Sequence, residues 1–541
     1  MHFFSIYRFY RSCKFARIMN KRLPALLLTS LLLGGCQSSN NHKFVSPAAS
    51  PVLMGGFSAG SGWNAPPTPS PLFNTESYPS NDENTFKSAK RDPLSTFSID
   101  VDTASYANLR RFVRENERPP AGAIRVEELI NYFDYNYPVP KGETPFGVHT
   151  EVASCPWNPN HRLALIGLRS SEIPATKRPA ANLVFLLDVS GSMGSPEKLP
   201  LVQKSMRLLV GQLQERDRVA IVTYAGEDKI ALAPTSCSRK EKIIAAIDEL
   251  GAGGSTHASG GIKKAYELAR KNFQPNGLNR VILATDGDFN VGITNNSDLK
   301  NLIKKEAKSG VSLTALGFGM GNLKDSKLQT LAQNGNGQHA YIDSELEARK
   351  VLVNELGATL QTVAKDVKIQ VEFNPATVKS YRLIGYESRL LAAEDFADDQ
   401  KDAGDMGAGH RVTALYEVVP LGAPDPVRRV DDLTYQKTVA ASGNKADLFT
   451  LKIRYKQPRG FRSKLITKVV PDSKKPFAQA SSDFRFAGSV AAFGLLLSDS
   501  NYKGTTTRNK ALSWASAAAK PDPNGLRRDF LSLARKAKFP K

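Results

Sequence analysis

A chain of 541 residues exceeds what one hydrophobic core can organise, so about two to four domains are expected. Lys and Arg number 73 against 52 Asp and Glu, a formal charge of +21 that favours anionic surfaces such as envelope polymers or acidic proteins. The lack of any recognisable nucleic-acid-binding motif, together with a secretory leader, disfavours nucleic acid as a partner.

Residues 20–36 join a short basic start, Lys21-Arg22, to an apolar run over 26–33 and then Gly34-Gly35-Cys36. The run is too short to remain as a membrane span and has the form of a signal peptide. Leu33-Gly34-Gly35-Cys36 resembles a bacterial lipobox. The resemblance implies that Cys36 is the lipidated first residue of the mature protein, that Met19 is the true start and, with Gln37 next, that the chain is a lipid-anchored envelope protein sorted to the outer membrane, on its periplasmic or surface side. Residues 37–90 are rich in Ser, Asn, Pro and Gly and cannot bury enough apolar surface to offset chain entropy, so they read as a tether. Within them Gly56-Phe57-Ser58-Ala59-Gly60 matches a hydrolase nucleophile pattern, but without the strand before it and the helix after it the match is chance.

Residues 91–178 read as an α+β segment. Asp100 and Asp102 could pair as phosphatase-type or metal carboxylates. Ala104 stands where a third oxygen would be needed, so Asp102 or Thr103 is expected to cap a helix that buries Leu109, Phe112 and Val113. Strands follow near 148–153 and 163–168. The block Asp100-Val101-Asp102-Thr103-Ala104-Ser105-Tyr106, with Cys155-Pro156-Trp157 beyond it, closely resembles the bacterial YfbK-like lipoproteins, and the likeness runs through the chain after the tether.

Residues 179–362 alternate strand and helix. Leu183-Val184-Phe185-Leu186-Leu187 reads as a strand buried on both faces, and it ends in Asp188, Ser190 and Ser192, with Gly191 letting their oxygens converge. Gly253-Gly254-Ser255-Thr256 is a glycine-rich loop before a helical pattern, and a second apolar strand ends at Asp286. Loops leaving the carboxyl ends of parallel strands build ligand sites, and hard oxygens suit Mg²⁺ or Mn²⁺. This set resembles the metal-ion-dependent adhesion site of von Willebrand factor type A domains, Asp-x-Ser-x-Ser, then Thr, then Asp. A helix with Val202, Met206, Leu209 and Leu213 on one face, an antiparallel edge near 230–232 and further strands at 311–316 and 340–342 complete a doubly wound, mostly parallel sheet. Three other motifs fail. Asp286-Gly287-Asp288-Phe289-Asn290 lacks the glycine and glutamate of an EF-hand loop, Gly317-Phe318-Gly319-Met320-Gly321 misplaces the third glycine of a dinucleotide loop, and His257 has no nucleophile to serve.

Residues 363–541 turn β-rich: Val367, Ile369, Val371 and Phe373 alternate with polar residues, as do Phe449, Leu451, Ile453 and Tyr455. One sandwich assembled from both flanks, with the type A domain inserted, accounts for strands on either side. Glu394, Asp395, Asp398, Asp399, Asp402 and Asp405 are expected to form a solvated acidic loop. Terminal helices are expected at 486–497, too short to cross a membrane, and around Leu526, Phe530 and Leu533. An oxidising periplasm permits a Cys155–Cys237 disulfide, which spacing alone does not decide.

The expected function is metal-dependent binding rather than catalysis. Asp188, Ser190, Ser192, Thr256 and Asp286 would hold one Mg²⁺ or Mn²⁺, and an Asp or Glu of a protein partner would complete the coordination, as the adhesion-site resemblance implies. The alternatives are a metal-dependent envelope enzyme, for which no general base or nucleophile is evident, and a structural lipoprotein whose metal only stabilises the fold.

Overall fold

The computed structural model describes residues 82–253, 259–287, 296–319, 325–355, 361–424, 444–458 and 460–540, together with Tyr78 and Pro426. The leader, Cys36, the motif at 56–60, the loop residues Ser255, Thr256 and His257, and 288–290 of the EF-hand-like stretch lie outside them.

Strands β1 (Lys87–Ser88), β2 (Leu94–Ser98), β3 (Phe146–Cys155) and β4 (Asn158–Ser170) precede the doubly wound domain, with helices α1 (Ala104–Arg114) and α2 (Val126–Asn131) between β2 and β3. The domain itself runs β5 (Ala181–Asp188), α3 (Leu199–Gln212), β6 (Arg218–Ala225), β7 (Glu227–Ser236), α4 (Lys240–Asp248), α5 (Ser259–Lys271), β8 (Leu278–Thr285), α6 (Asn296–Lys308), β9 (Ser312–Phe318), α7 (Asp325–Asn334), β10 (His339–Ile342) and α8 (Glu345–Arg349). Its sheet order is β10-β9-β8-β5-β6-β7, parallel except for β7, which pairs antiparallel with β6. Successive residues of a strand face opposite sides. Leu183, Phe185 and Leu187 therefore pack with Val202, Met206 and Leu209 of α3, while Val184 and Leu186 pack with Ile262, Ala265 and Tyr266 of α5. Burial on both faces makes β5 a continuous apolar run.

After α8 come β11 (Thr362–Phe373), β12 (Val378–Ile384), β13 (Leu390–Leu391), β14 (Gly404–Gly407), β15 (Arg411–Pro420), β16 (Asp447–Lys456) and β17 (Ser463–Pro471). They share both sheets with the earlier strands: one is ordered β1-β12-β15-β4-β3, the other β13-β2-β11-β16-β17, with β14 on β11. The two sheets enclose a core that includes Phe97, Ile166, Val371, Tyr416 and Ile453. The flanks thus form one sandwich, and the doubly wound domain is inserted between β4 and β11.

The other face of β4 carries Leu163 and Leu165, which pack beneath a helical layer made of α2 and three C-terminal helices, Ser482–Leu497, Arg508–Ala517 and Leu526–Lys536. The first of these is buried almost all round, as an evenly apolar helix must be. Its start is capped by Ser481, whose hydroxyl accepts from the Phe484 amide at 3.1 Å. Among the described residues no helix is long and apolar enough to cross a membrane.

One expectation changes. Thr103 sits at the start of α1 but makes no side-chain cap, and Asp102 is drawn away instead. Its carboxylate accepts from the His339 amide at 3.1 Å and from Gln329 and Arg389 at 3.2 Å each, joining the inserted domain to the sandwich. The acidic loop is solvated as expected at Glu394, Asp398 and Asp402, which are exposed, and it is anchored at a few points. Lys368 donates to the Asp395 and Asp398 carbonyls, the Ser463 amide donates to Asp399 at 3.2 Å, and burial pushes Asp405 up to about 7. Cys155 and Cys237 are free thiols, buried in different cores.

The helical layer buries an acid, Glu127, that is only partly compensated. Glu127 on α2 is 3% exposed, and its Oε2 makes no hydrogen bond. Burial, with the nearby Glu387 and Glu128 carboxylates, pushes it up to about 8. A group raised in this way keeps its proton in the folded chain and releases it on unfolding, so it costs stability increasingly as pH rises from about 4.3 toward 8. Glu127→Gln is expected to stabilise the protein by roughly 1–3 kcal/mol at pH 8 and to flatten the decline between pH 5 and pH 8 in urea unfolding. Parallel pH profiles for the two proteins would contradict it.

Candidate metal centre

The centre forms where β5 and β8 end side by side. Their parallel register sets Leu187 opposite Ala284, so the two strands deliver Asp188, Thr285 and Asp286 to one edge of the sheet. Asp188 and Asp286 are both 0% exposed and Ser190 is 1% exposed. A short 3₁₀ turn, Gly191–Gly194, reverses the chain after β5 and folds the hydroxyls back. Asp188 Oδ1 accepts from the Ser190 amide at 3.0 Å and from the Ser190 hydroxyl at 2.7 Å, and the Ser190 and Ser192 hydroxyls lie 3.1 Å apart.

The other oxygen of Asp188 accepts from Tyr224 at 3.1 Å and Thr285 at 3.0 Å. Tyr224 comes from the end of β6, the neighbour of β5 on its other side. Burial pushes the Asp188 carboxyl up from its ordinary value and the Asp286 charge adds to this, while the Ser190 and Thr285 hydrogen bonds pull against them. Asp286 in turn accepts from the Lys198 ammonium at 2.9 Å.

The third loop starts beside the first: the Gly253 amide donates to the Val189 carbonyl at 2.7 Å. Helix α5 then packs tightly against the end of β6. A Cβ at Gly260 would fall 1.6 Å from Asp228 Oδ2, and one at Gly261 would fall 3.1 Å from the Tyr224 Cβ. The two glycines thus let the start of α5 approach the centre.

The structure brings together Asp188, Ser190, Ser192 and Asp286. Thr256 and Cys36 lie outside the described residues. Sequence reasoning missed Lys198, Tyr224 and Thr285. Thr285 was visible as the polar residue adjoining Asp286 at the end of its strand, whereas nothing local marks Lys198 or Tyr224. Two buried carboxylates and a chain of hydroxyls form a hard oxygen donor set that fits Mg²⁺ or Mn²⁺, and the ammonium on Asp286 shows that the pocket draws positive charge. Among the described residues no group of three or more His, Cys, Asp or Glu is placed to hold a metal, so this set depends on its hydroxyls.

A cavity of about 580 Å³ lies elsewhere, lined by residues including Tyr132, Asp134, His339, Lys350 and Arg411. Two of its ion pairs are internal: Lys350 pairs with Glu355 at 2.7 Å and Arg411 with Asp134 at 2.9 Å.

Three family models match the chain: von Willebrand factor over residues 72–165, von Willebrand factor type A domain over 182–355, and Uncharacterized protein YfbK, C-terminal, over 358–539. The Uncharacterized protein YfbK of Escherichia coli K12 is 44% identical over 469 residues, covering 85% of this chain and 80% of the relative. Human inter-alpha-trypsin inhibitor heavy chain H4 is 26% identical over 233 residues, 41% of this chain and 25% of that protein. Among solved structures, a von Willebrand factor type A protein from Catenulispora acidiphila aligns over 74% of this chain and 91% of its own, at 15% identity and a TM-score of 0.40.

Proposed function

The chain belongs to the YfbK family and carries a von Willebrand factor type A domain, and from that premise we propose that it is a cell-envelope binding protein rather than an enzyme, recognising a protein partner through a divalent cation. Type A domains and their relatives point to protein–protein interaction or adhesion. The observation that carries the metal reading is the pair of fully buried carboxylates, Asp188 and Asp286, at the ends of adjacent strands with the Ser190 and Ser192 hydroxyls beside Asp188. Two carboxylates buried together repel one another, and among the described residues the single Lys198 ammonium on Asp286 leaves one negative charge for a divalent ion to meet.

Asp188, Ser190, Ser192 and Asp286, with Thr256, would hold one Mg²⁺ or Mn²⁺ ion. When bound, the ion offers an open coordination position to an Asp or Glu of the partner. A neutral partner leaves that position to water, which gives the site its selectivity. The positive excess of the chain adds long-range attraction to acidic proteins or anionic envelope polymers. Cys36 would carry the lipid that holds the protein in the envelope, at the outer membrane.

Affinity capture from envelope extracts, with the full chain as bait, tests this reading. It is run in Mg²⁺, in chelator and with Asp188→Ala. A partner retained by the wild-type protein in Mg²⁺, eluted by chelator and absent with the variant is the expected result. Equal retention in all three arms would remove the metal centre from recognition.

A further inference from the structure

We propose that Lys198 is a built-in counter-cation of the metal centre, which weakens uptake of a divalent ion by the free protein and ties that uptake to an anionic partner. The inference rests on the metal-binding reading above and goes on to name how the site is regulated.

Lys198 immediately precedes α3, just after the turn that bears Ser190 and Ser192. A lysine on a surface loop pairs weakly, because holding its long side chain in place offsets the attraction. This one is held in place. Its side chain is 10% exposed, and its ammonium lies 2.9 Å from Oδ2 of Asp286, which is itself fully buried. The aliphatic stem crosses Gly319, at the end of β9: a Cβ there would fall 2.4, 2.5 and 2.9 Å from Cγ, Cε and Cδ of Lys198. Gly319 has φ +72°, and the Tyr341 hydroxyl donates to its carbonyl at 2.7 Å. The slot therefore has a fixed floor that any side chain at 319 would block. Gly319, the middle glycine of the stretch that fails as a dinucleotide loop, serves instead as the bed of a lysine.

Charge balance gives the consequence. Among the described residues, two carboxylates and one ammonium leave the centre with one negative charge. A divalent ion turns this into one positive charge, and a carboxylate from a partner brings it to neutrality. Without Lys198 the ion alone would neutralise the pair, and a partner carboxylate would overcharge it. Lys198 thus opposes the bare ion and favours the ion together with an anion, because interactions between charges are strong in a site this poorly solvated.

The test measures Mn²⁺ binding to the full chain by calorimetry and by electron paramagnetic resonance, with and without acetate as the carboxylate probe, alongside melting temperature in Mn²⁺ and in chelator. Lys198→Met keeps the stem over Gly319 and drops the charge. It is expected to bind Mn²⁺ roughly tenfold more tightly than the wild type in the absence of acetate. It should also melt lower in chelator but gain more from Mn²⁺. Acetate should tighten Mn²⁺ binding to the wild type and leave the variant little changed. Gly319→Ala, which blocks the slot, should shift affinity in the same direction and provides a second route if the methionine variant folds poorly. Unchanged or weaker Mn²⁺ binding by both variants, with equal melting losses in Mn²⁺ and chelator, would reduce Lys198 to a packing residue. A wild-type protein that binds no Mn²⁺ would instead overturn the metal reading beneath the proposal.

Discussion

Replacing Asp188 with alanine is expected to weaken Mn²⁺ binding by at least about 100-fold while the sheet stays folded. Asp188 is the hub of the centre. Its two oxygens accept from the Ser190 amide and hydroxyl on one side and from Tyr224 and Thr285 on the other. Alanine removes the charge that the proposed ion would meet and also leaves those donors without their acceptor. Each buried donor left unpaired costs about 1–3 kcal/mol, but relief of the repulsion between two buried carboxylates offsets part of that. The net loss of stability in chelator is therefore expected at about 1–3 kcal/mol, read by urea unfolding. Asp188→Asn preserves shape and removes charge, so it should lose the ion with a smaller change in stability. Wild-type Mn²⁺ affinity in Asp188→Ala, measured by calorimetry, would place the ion elsewhere in the molecule.

Much of this centre was legible in the sequence because its chemistry is local. Asp188, Ser190 and Ser192 sit within one turn of chain, and β5 and β8 announce themselves as strands because both of their faces are buried. The helix α3 was equally plain, since Val202, Met206 and Leu209 recur at helical spacing and all reach the same core. What stayed hidden depends on long-range contact. Lys198 meets Asp286 across 88 residues of chain, and no periodicity or spacing points an ammonium at one carboxylate. The cap expected of Asp102 has the same explanation: a residue suited to start a helix was claimed by Arg389 and the His339 amide from two later elements.

The sandwich shows the same division. Alternation marked β11 and β16 as half-buried strands, but pairing partners were open, and Val371 lies opposite Ser95 on one side and Leu451 on the other. Composition marked the acidic loop as solvated, and Glu394, Asp398 and Asp402 are exposed, but it reports charge and not contacts. Asp405 is held in β14 against β11, and Asp399 is fixed by the Ser463 amide. The helix Arg508–Ala517 escaped because only Ala511 and Ala515 of its residues are buried. Small side chains on one face leave little amphipathic signal.

The other large effect is expected at Glu417, far from the metal centre. Glu417 stands on β15 directly opposite Arg382 on β12 and Leu163 on β4. Its carboxylate accepts from Trp157 Nε1 at 2.9 Å and Arg382 Nη2 at 3.2 Å, and lies 2.6 Å from His161 Nδ1. The Arg382 side chain is 1% exposed, and its guanidinium lies 4.3 Å from the centre of the Tyr502 ring and 5.6 Å from that of Phe86. The start of the sandwich and the C-terminal helical layer thus close over one buried charge pair. Glu417→Ala would strand that guanidinium, and removing one partner of a buried pair costs about 3–5 kcal/mol. Burial on its own would raise the Glu417 carboxyl, but the His161 hydrogen bond, the Arg382 charge and the Trp157 hydrogen bond outweigh it and hold the group below its ordinary value. A carboxylate depressed in the folded state stabilises above its unfolded value of about 4.3, and that stabilisation drains away as pH falls through the folded value. Urea unfolding should therefore give the full loss at pH 7 and a smaller difference between wild type and Glu417→Ala as pH falls below about 4. Glu417→Gln keeps the acceptor and loses the charge, so it should fall between the two at pH 7 and lose the same acid dependence. A loss under about 1 kcal/mol in Glu417→Ala at pH 7 would mean that water reaches Arg382 and that the closure over it is not tight.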